Sequence, residues 1–334
     1  MKICVLHRPY RNTEWQTKFS GEKFPDDAIE EARHHAEALR ANGHTVEIIT
    51  WSKDISKNIK ALQGGHYELV VNASSLEEVA LLEILHIPFM GSGIDLVATD
   101  KATRKRLWRD AQVLTPTFAY IHSMDQLKSV ALPPFPLFVK PIRGRGSAGI
   151  TDESIVHNQK ELERTCQRIL YTMQQGVLIE EYIQGIEVTV GLIGNDTDLT
   201  VLPPLEIEYS GQARTNTFVH KQDNEILHCP ARLAKEEIDL LCEAAKRAFK
   251  SLGARDFGRV DFIYDPQTKK PYALELNTFA GLQILTGDEK HLHQSYIGKM
   301  CQHLGWSSRD LFKRLLDACQ RRLQEEMVDE SANN

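Results

Sequence analysis

No run in this 334-residue chain approaches the roughly 20 apolar residues a membrane span needs, and the opening MKICVLHRPY is too short for a secretory signal. Positive charge is not in excess: 40 Lys and Arg stand against 46 Asp and Glu, a net charge of −6, which argues against a nucleic-acid partner. Cys4, Cys166, Cys229, Cys242, Cys301 and Cys319 show no CxxC or other metal spacing, as expected of reduced thiols in a cytoplasmic protein. Internal repeats and low-complexity segments are missing too. What remains is ordinary globular composition, 42% hydrophobic and 26% charged, with length for two or three packed lobes.

The first hundred residues alternate strand and helix. Residues 2–6, HTVEIITW, YELVVNA and IPFMGS read as strands. DDAIEEARHHAEALRANG and SLEEVALLEILH read as helices, the former with Ala28, Ala32, Ala36 and Leu39 on one stripe and Gly43 as its stop. That spacing predicts a small parallel α/β lobe. The long loop after the first strand lies where such sheets bind ligands, and its Arg8, Arg11, Trp15 and Lys18 suit an anionic substrate.

Thr99-Asp100-Lys101 opens a helix through WRDAQ. FPLFVK is a buried strand that delivers Lys140 into a glycine-rich turn at 144–149 with Arg143, Arg145 and Ser147. Glycines let backbone approach phosphate oxygens and lysine supplies a point charge, although no GK[ST] marks a Walker loop. A helix over KELERTCQRILYTM follows. VLIEEYI then reads as a strand, QG as a turn and IEVTVGLI as the antiparallel partner, with Glu180 and Glu187 flanking the turn. The long segment LPPLEIEYSGQARTNTFVHKQDNEILHCPARL reads as a functional lid. KEEIDLLCEAAKRAFKSLG is an amphipathic helix, two more helices cover HLHQSYIGKMCQHLG and SSRDLFKRLLDACQRRL, and the polar EEMVDESANN is expected to fray.

The most informative stretch is GRVDFIYDPQTKKPYALELNTFAGLQ, a hairpin about the turn DPQTKK. Alternation puts Val260, Phe262 and Tyr264 on one face and Arg259 and Asp261 on the other. Matching apolar to apolar sets Val260 against Leu276 and Phe262 against Leu274, hence Asp261 against Glu275 and Arg259 against Asn277. Carboxylates starting roughly 5 Å apart repel by about 3 kcal/mol at an effective dielectric near 20. A divalent cation turns that repulsion into a site, and oxygen ligands suit Mg2+ shared with phosphates.

Taken in order, FPLFVKPIRGRGSAG, VLIEEYIQGIEVTV, HCPARL, GRVDFIYD and LELNTFAG resemble the motifs of the D-alanine–D-alanine ligase branch of the ATP-grasp ligases, from about residue 101 to 281. The resemblance implies an α/β (α+β) ATP-grasp fold with a Rossmann-like pre-ATP-grasp lobe (1–98), a central subdomain (99–183), a C-terminal catalytic subdomain (184–322) and a polar tail (323–334). By this similarity Lys101, Lys140 and Ser147 contact phosphate; Glu180 and the backbone at Glu181 and Ile183 hold adenine; and Glu187 holds ribose. Asp261, Glu275 and Asn277 match the ligands of Mg2+, expected as two ions with Mn2+ as substitute. Lys221 matches the lid lysine, and Arg259 and the Gly281 amide match the oxyanion donors.

The amino-acid half departs from that branch. LHRPYRNTEW stands where GGxSxExxVS is expected, and NASSLEEVA where HGxxGEDG is expected. Gly146, Gln222, Ala280 and Gln283 replace a serine, tyrosine, proline and threonine, and the loop at 285–290 is longer. The expectation is an ADP-forming carboxylate–amine ligase of altered specificity, acting on ATP and two small molecules through an acyl phosphate, with a homodimer left open. The alternatives are a true D-alanine–D-alanine ligase and a non-catalytic ATP-binding regulatory protein.

Overall fold

The structure, a computed structural model, describes residues 1–9, 28–144, 149–209, 225–285 and 295–332. Three sheets organise it. In the first, β1 (Lys2–His7) lies between β2 (Thr45–Thr50) and β3 (Leu69–Val71), all parallel. Three helices connect and cover these strands: α1 (Ala28–Ala41), α2 (Ile55–Gly65) and α3 (Leu76–Ile84). Ala32, Ala36 and Leu39 are buried as the helical stripe requires, and Gly43 takes φ 84 just past α1. One element was not foreseen and one expectation is corrected. ISKNIKALQGG, not assigned from sequence, is a helix whose first turn is capped by the Asp54 carboxylate accepting from the Ser56 amide. IPFMGS contributes a single parallel bridge, Val70 to Phe89, and no full strand.

Helix α4 (Lys101–Asp110), capped by Asp100, leads to a second, antiparallel sheet. It contains β4 (Phe118–Ile121), β5 (Leu137–Pro141), β6 (Ile155–Val156) and β7 (Val177–Glu181) in the order β4-β7-β5-β6. Helix α5 (Gln159–Thr172) seals one face with Leu162, Cys166 and Ile169. The third sheet runs β11-β10-β8-β12-β13, comprising β8 (Ile186–Ile193), β10 (Leu205–Tyr209), β11 (Glu225–His228), β12 (Phe257–Asp265) and β13 (Lys270–Asn277), with β9 (Thr200–Val201) paired to β8. Helix α6 (Lys235–Lys250) covers one face of this sheet, its Leu241, Ala245 and Phe249 packing with Val190, Val260 and Phe262. On the other side α7 (Tyr296–His303) and α8 (Ser308–Ala332) share a core with the first sheet and α1.

β7 and β8, expected to pair, lie in different sheets. Both edges of β7 are already taken, by β4 and β5, so the chain crosses at 182–185 and β8 pairs with β10 and β12. The polar segment read as a lid holds strands at both ends, β10 and β11, which pair antiparallel. Nor does the tail fray at 323: α8 continues to Ala332, with Glu326 accepting from Arg322 at 3.0 Å and from Arg255 at 3.2 Å. The same Arg322 closes a buried junction. Asp256, 0% exposed, accepts from the Arg322 guanidinium twice at 2.9 Å, from the Gly91 amide at 2.8 Å and from Asn195 at 3.1 Å. Arg322 also donates to the Phe89 carbonyl at 2.9 Å, so one ion pair joins the first lobe, the third sheet and α8.

Candidate active site

The β12–β13 hairpin pairs Arg259 with Asn277, Val260 with Leu276 and Asp261 with Glu275, as the alternation required. Beyond that point the expected register fails, because Phe262 faces Ala273 and not Leu274. Leu274 is the extra residue of a β-bulge, so Ala273 and Leu276 both reach the core while Glu275 and Asn277 stay on the polar face. With Ala273 inside, it is the bulge that keeps Glu275 off Ala273's core-facing side.

On the polar face, Asp261 is the hub. Its carboxylate accepts from Arg259 Nε at 2.8 Å and Nη2 at 3.1 Å, from Asn277 Nδ2 at 2.7 Å and from Thr189 Oγ1 at 2.6 Å. Thr189 comes from β8, directly opposite Asp261. Burial works against the Arg259 charge, but the Asp261 carboxylate more than reverses this and the guanidinium is held firmly protonated. Arg259 also lies over the Tyr296 ring, 4.7 Å from its centroid, and the Tyr296 hydroxyl is held 2.8 Å from the Glu225 carboxylate oxygens.

Two carboxylates and an amide on one face give a hard, oxygen-rich donor set that fits Mg2+ completing its shell with water and phosphate. Among the described residues no group of three or more His, Cys, Asp or Glu side chains is placed to hold a metal ion by itself.

The lysines assigned to phosphate arrive from two directions. Lys101, in the first turn of α4, donates to the Gly144 carbonyl at 2.8 Å and stands 4.0 Å from Glu275. Lys140, near the end of β5, pairs with Glu180 at 2.6 Å. Glu180, 1% exposed, is met from the other side by Lys105 at 2.7 Å. Burial alone would raise the Glu180 carboxyl, yet the two lysines hold it below the usual carboxylate range. Glu187 accepts from the Tyr209 hydroxyl at 2.9 Å. The Glu181 amide is used by the Thr117 carbonyl at 2.8 Å, and Ile183 sits half-buried in the crossing between sheets. At Gly281 a Cβ would lie 2.8 Å from Gln283 Oε1 and 3.0 Å from Ser295 Cβ, so the turn is too tight for any side chain without a shift.

Some expectations do not come to the site. Arg8 donates to Glu77 at 3.0 Å and to Ser75, neighbours at the start of α3. Ser147, Lys221, Arg11, Trp15, Lys18 and residues 286–290 lie outside the described residues. Sequence reasoning missed Lys105, Arg104, Thr189 and Tyr296. The lysine and arginine carried a signal, since KATRKRLW spaces Lys101, Arg104, Lys105 and Trp108 along one helical face.

The family profile described as D-ala D-ala ligase C-terminus matches residues 109–317. The chain belongs to that family. It is 29% identical over 265 residues to a D-alanine--D-alanine ligase of Carboxydothermus hydrogenoformans, covering 73% of this chain and 81% of that protein. A second, from Halalkalibacterium halodurans, is 29% identical over 289 residues, covering 84% of this chain and 90% of that one. Among solved structures, D-alanine--D-alanine ligase from Bacillus anthracis complexed with ATP matches with TM-score 0.74 and 21% identity over 98% of this chain and 99% of that one. VanG D-Ala:D-Ser ligase from Enterococcus faecalis matches with TM-score 0.71 and 21% identity over 95% and 99% of the two chains. The fold is therefore that of the ATP-grasp ligases of the D-Ala-D-Ala ligase type, and the chain is an ATP-dependent enzyme that forms C–N bonds. The non-catalytic alternative falls with that membership.

Proposed function

We propose that this protein is an ADP-forming D-alanine–D-alanine ligase, the narrower of the readings its sequence allowed. Support comes from the relatives named above, and the observation that carries it is the hairpin face joining Arg259, Asp261, Glu275 and Asn277. In this reading residues 1–98, 99–183 and 184–322 are the working lobes. Lys101, Lys140 and Ser147 bind phosphate oxygens, and Lys221 acts with Arg259 and Gly281 as a catalytic group. Glu180 and the backbone at Glu181 and Ile183 receive adenine, and Glu187, steadied by Tyr209, receives ribose. Asp261, Glu275 and Asn277 would hold two Mg2+ ions, with Mn2+ able to replace them, which would supply neutralisation of the charge developing on the transferred phosphoryl group.

The first substrate's carboxylate oxygen takes the γ-phosphoryl group and ADP leaves. The second substrate's amine then attacks the acyl carbon, the amide bond forms, and inorganic phosphate departs. Arg259 and the Gly281 N–H donate to the oxyanion of the tetrahedral stage. Loss of one such donor typically costs about 10²–10³ in rate.

A second reading keeps this chemistry and changes the acceptor. Gln283 favours it, since its side-chain oxygen sits against Gly281 where the resembling branch has threonine. Phosphate release from ATP, measured with D-alanine alone and with D-alanine paired with other amino acids, decides between them. D-alanyl-D-alanine as product supports the first reading. Silence with D-alanine alone together with turnover of a mixed pair would replace it with the broader carboxylate–amine ligase.

A further inference from the structure

Helix α4 turns one polar face inward, and each residue on it grips a different part of the protein. Lys101 reaches Gly144 and Glu275, as described. Arg104 donates to the Leu276 carbonyl at 3.0 Å, and Trp108 Nε1 to the Ala248 carbonyl at 2.9 Å. Between them Lys105 is 0% exposed. Its ammonium lies 2.7 Å from Glu180, 2.6 Å from Thr115 Oγ1 and 3.2 Å from the Ala273 carbonyl. Thr115 donates in turn to the same Ala273 carbonyl at 2.8 Å.

One ammonium thus bridges two sheets, through an ion pair to Glu180 on one side and hydrogen bonds to Thr115 and the Ala273 carbonyl on the other. Glu180 belongs to β7, in the sheet that carries Lys140. Ala273 belongs to β13 and is the last residue before the bulge that brings Glu275 and Asn277 onto the polar face. Taking an ammonium out of water is costly. Neutralising Glu180 does not require it, because Lys140 already stands 2.6 Å away. What Lys105 adds is a fixed spacing between Glu180 and the bulge.

We propose that Lys105 is a positioning residue, which with Thr115 sets the β13 bulge against the nucleotide-bearing sheet so that ATP phosphates and the cation held by the hairpin meet in register. This rests on the ligase reading above.

The test uses the full chain and the non-hydrolysable probe AMP-PNP, its affinity measured by calorimetry with and without Mg2+, alongside kcat and KM for ATP. Thr115→Val removes the hydroxyl tether and leaves Lys105 on Glu180. It should keep metal-free AMP-PNP affinity near wild type while reducing the factor by which Mg2+ tightens binding about tenfold, the scale of one lost hydrogen-bonded tether. Lys105→Met should reduce that factor at least as far and lower kcat more than it raises KM. An unchanged Mg2+ factor in a folded Thr115→Val protein, whatever its melting temperature, would overturn the proposal, and that variant decides if Lys105→Met does not fold. A wild-type protein that binds no AMP-PNP would instead overturn the ligase reading itself.

Discussion

The Arg259 guanidinium lies over the Tyr296 ring, 4.7 Å from its centroid, while its Nε donates to Asp261 at 2.8 Å. One side chain is therefore aimed from two directions, by a carboxylate in the sheet and by an aromatic ring from α7. A cation over a desolvated ring is worth about 0.5–2 kcal/mol. Tyr296→Leu should lower kcat about tenfold with ATP affinity nearly unchanged, whereas Arg259→Ala should lower it about 10²–10³-fold. Steady-state kinetics on both variants checks the order.

Asp261 is the carboxylate on which the polar face converges, so its charge matters more than its shape. Asp261→Asn should raise the Mg2+ concentration needed for half-maximal turnover by about tenfold or more, and chelation with EDTA should abolish phosphate release from the wild type. A Mg2+ titration of phosphate release reads both.

Trp108 is 0% exposed and packs with the α6 core while its indole N–H meets the Ala248 carbonyl at 2.9 Å. Trp108→Ala should cost about 3–5 kcal/mol by urea denaturation. Trp108→Phe keeps an aromatic ring, and Ser251 still donates to the Ala248 carbonyl at 3.3 Å, so the lost indole hydrogen bond should cost only about 0.5–1.5 kcal/mol.

Burial pushes the Lys105 ammonium down to about 8 from its ordinary 10.5, against the pull of Glu180. Between those pH values the unfolded chain binds more protons than the native one, so this group contributes a stability term that rises with pH across the window. Lys105→Met removes the term. The difference in denaturant midpoint, wild type minus variant, should therefore grow between pH 8 and 10.

The hairpin was legible because period-two alternation is a local property: Arg259, Asp261, Glu275 and Asn277 could be sorted to one face without knowing what covers the other. The bulge was not. Ala273 and Leu274 are both apolar, and only packing against α6 decides that the smaller one goes inside. The crossing after β7 was misread because a Gln-Gly turn looks the same whether the chain reverses or passes to another sheet; the deciding fact, that β4 occupies the edge, lies sixty residues upstream. Lys105 was hidden by composition. A helix reading KATRKRLWRD looks solvated, and its burial follows from partners on β7 and β13 that no local window contains.

The Asp256–Arg322 junction also has an order in time. Gly91 and Asp256 are both synthesised before Arg322, and leaving a buried charge without its partner costs about 3–5 kcal/mol. Until α8 has left the ribosome, Asp256 is better off in water than at the seam it later occupies. The first lobe has its own parallel strands to fold around, but its docking onto the third sheet is stabilised only once Arg322 of α8 is in place to pair with Asp256.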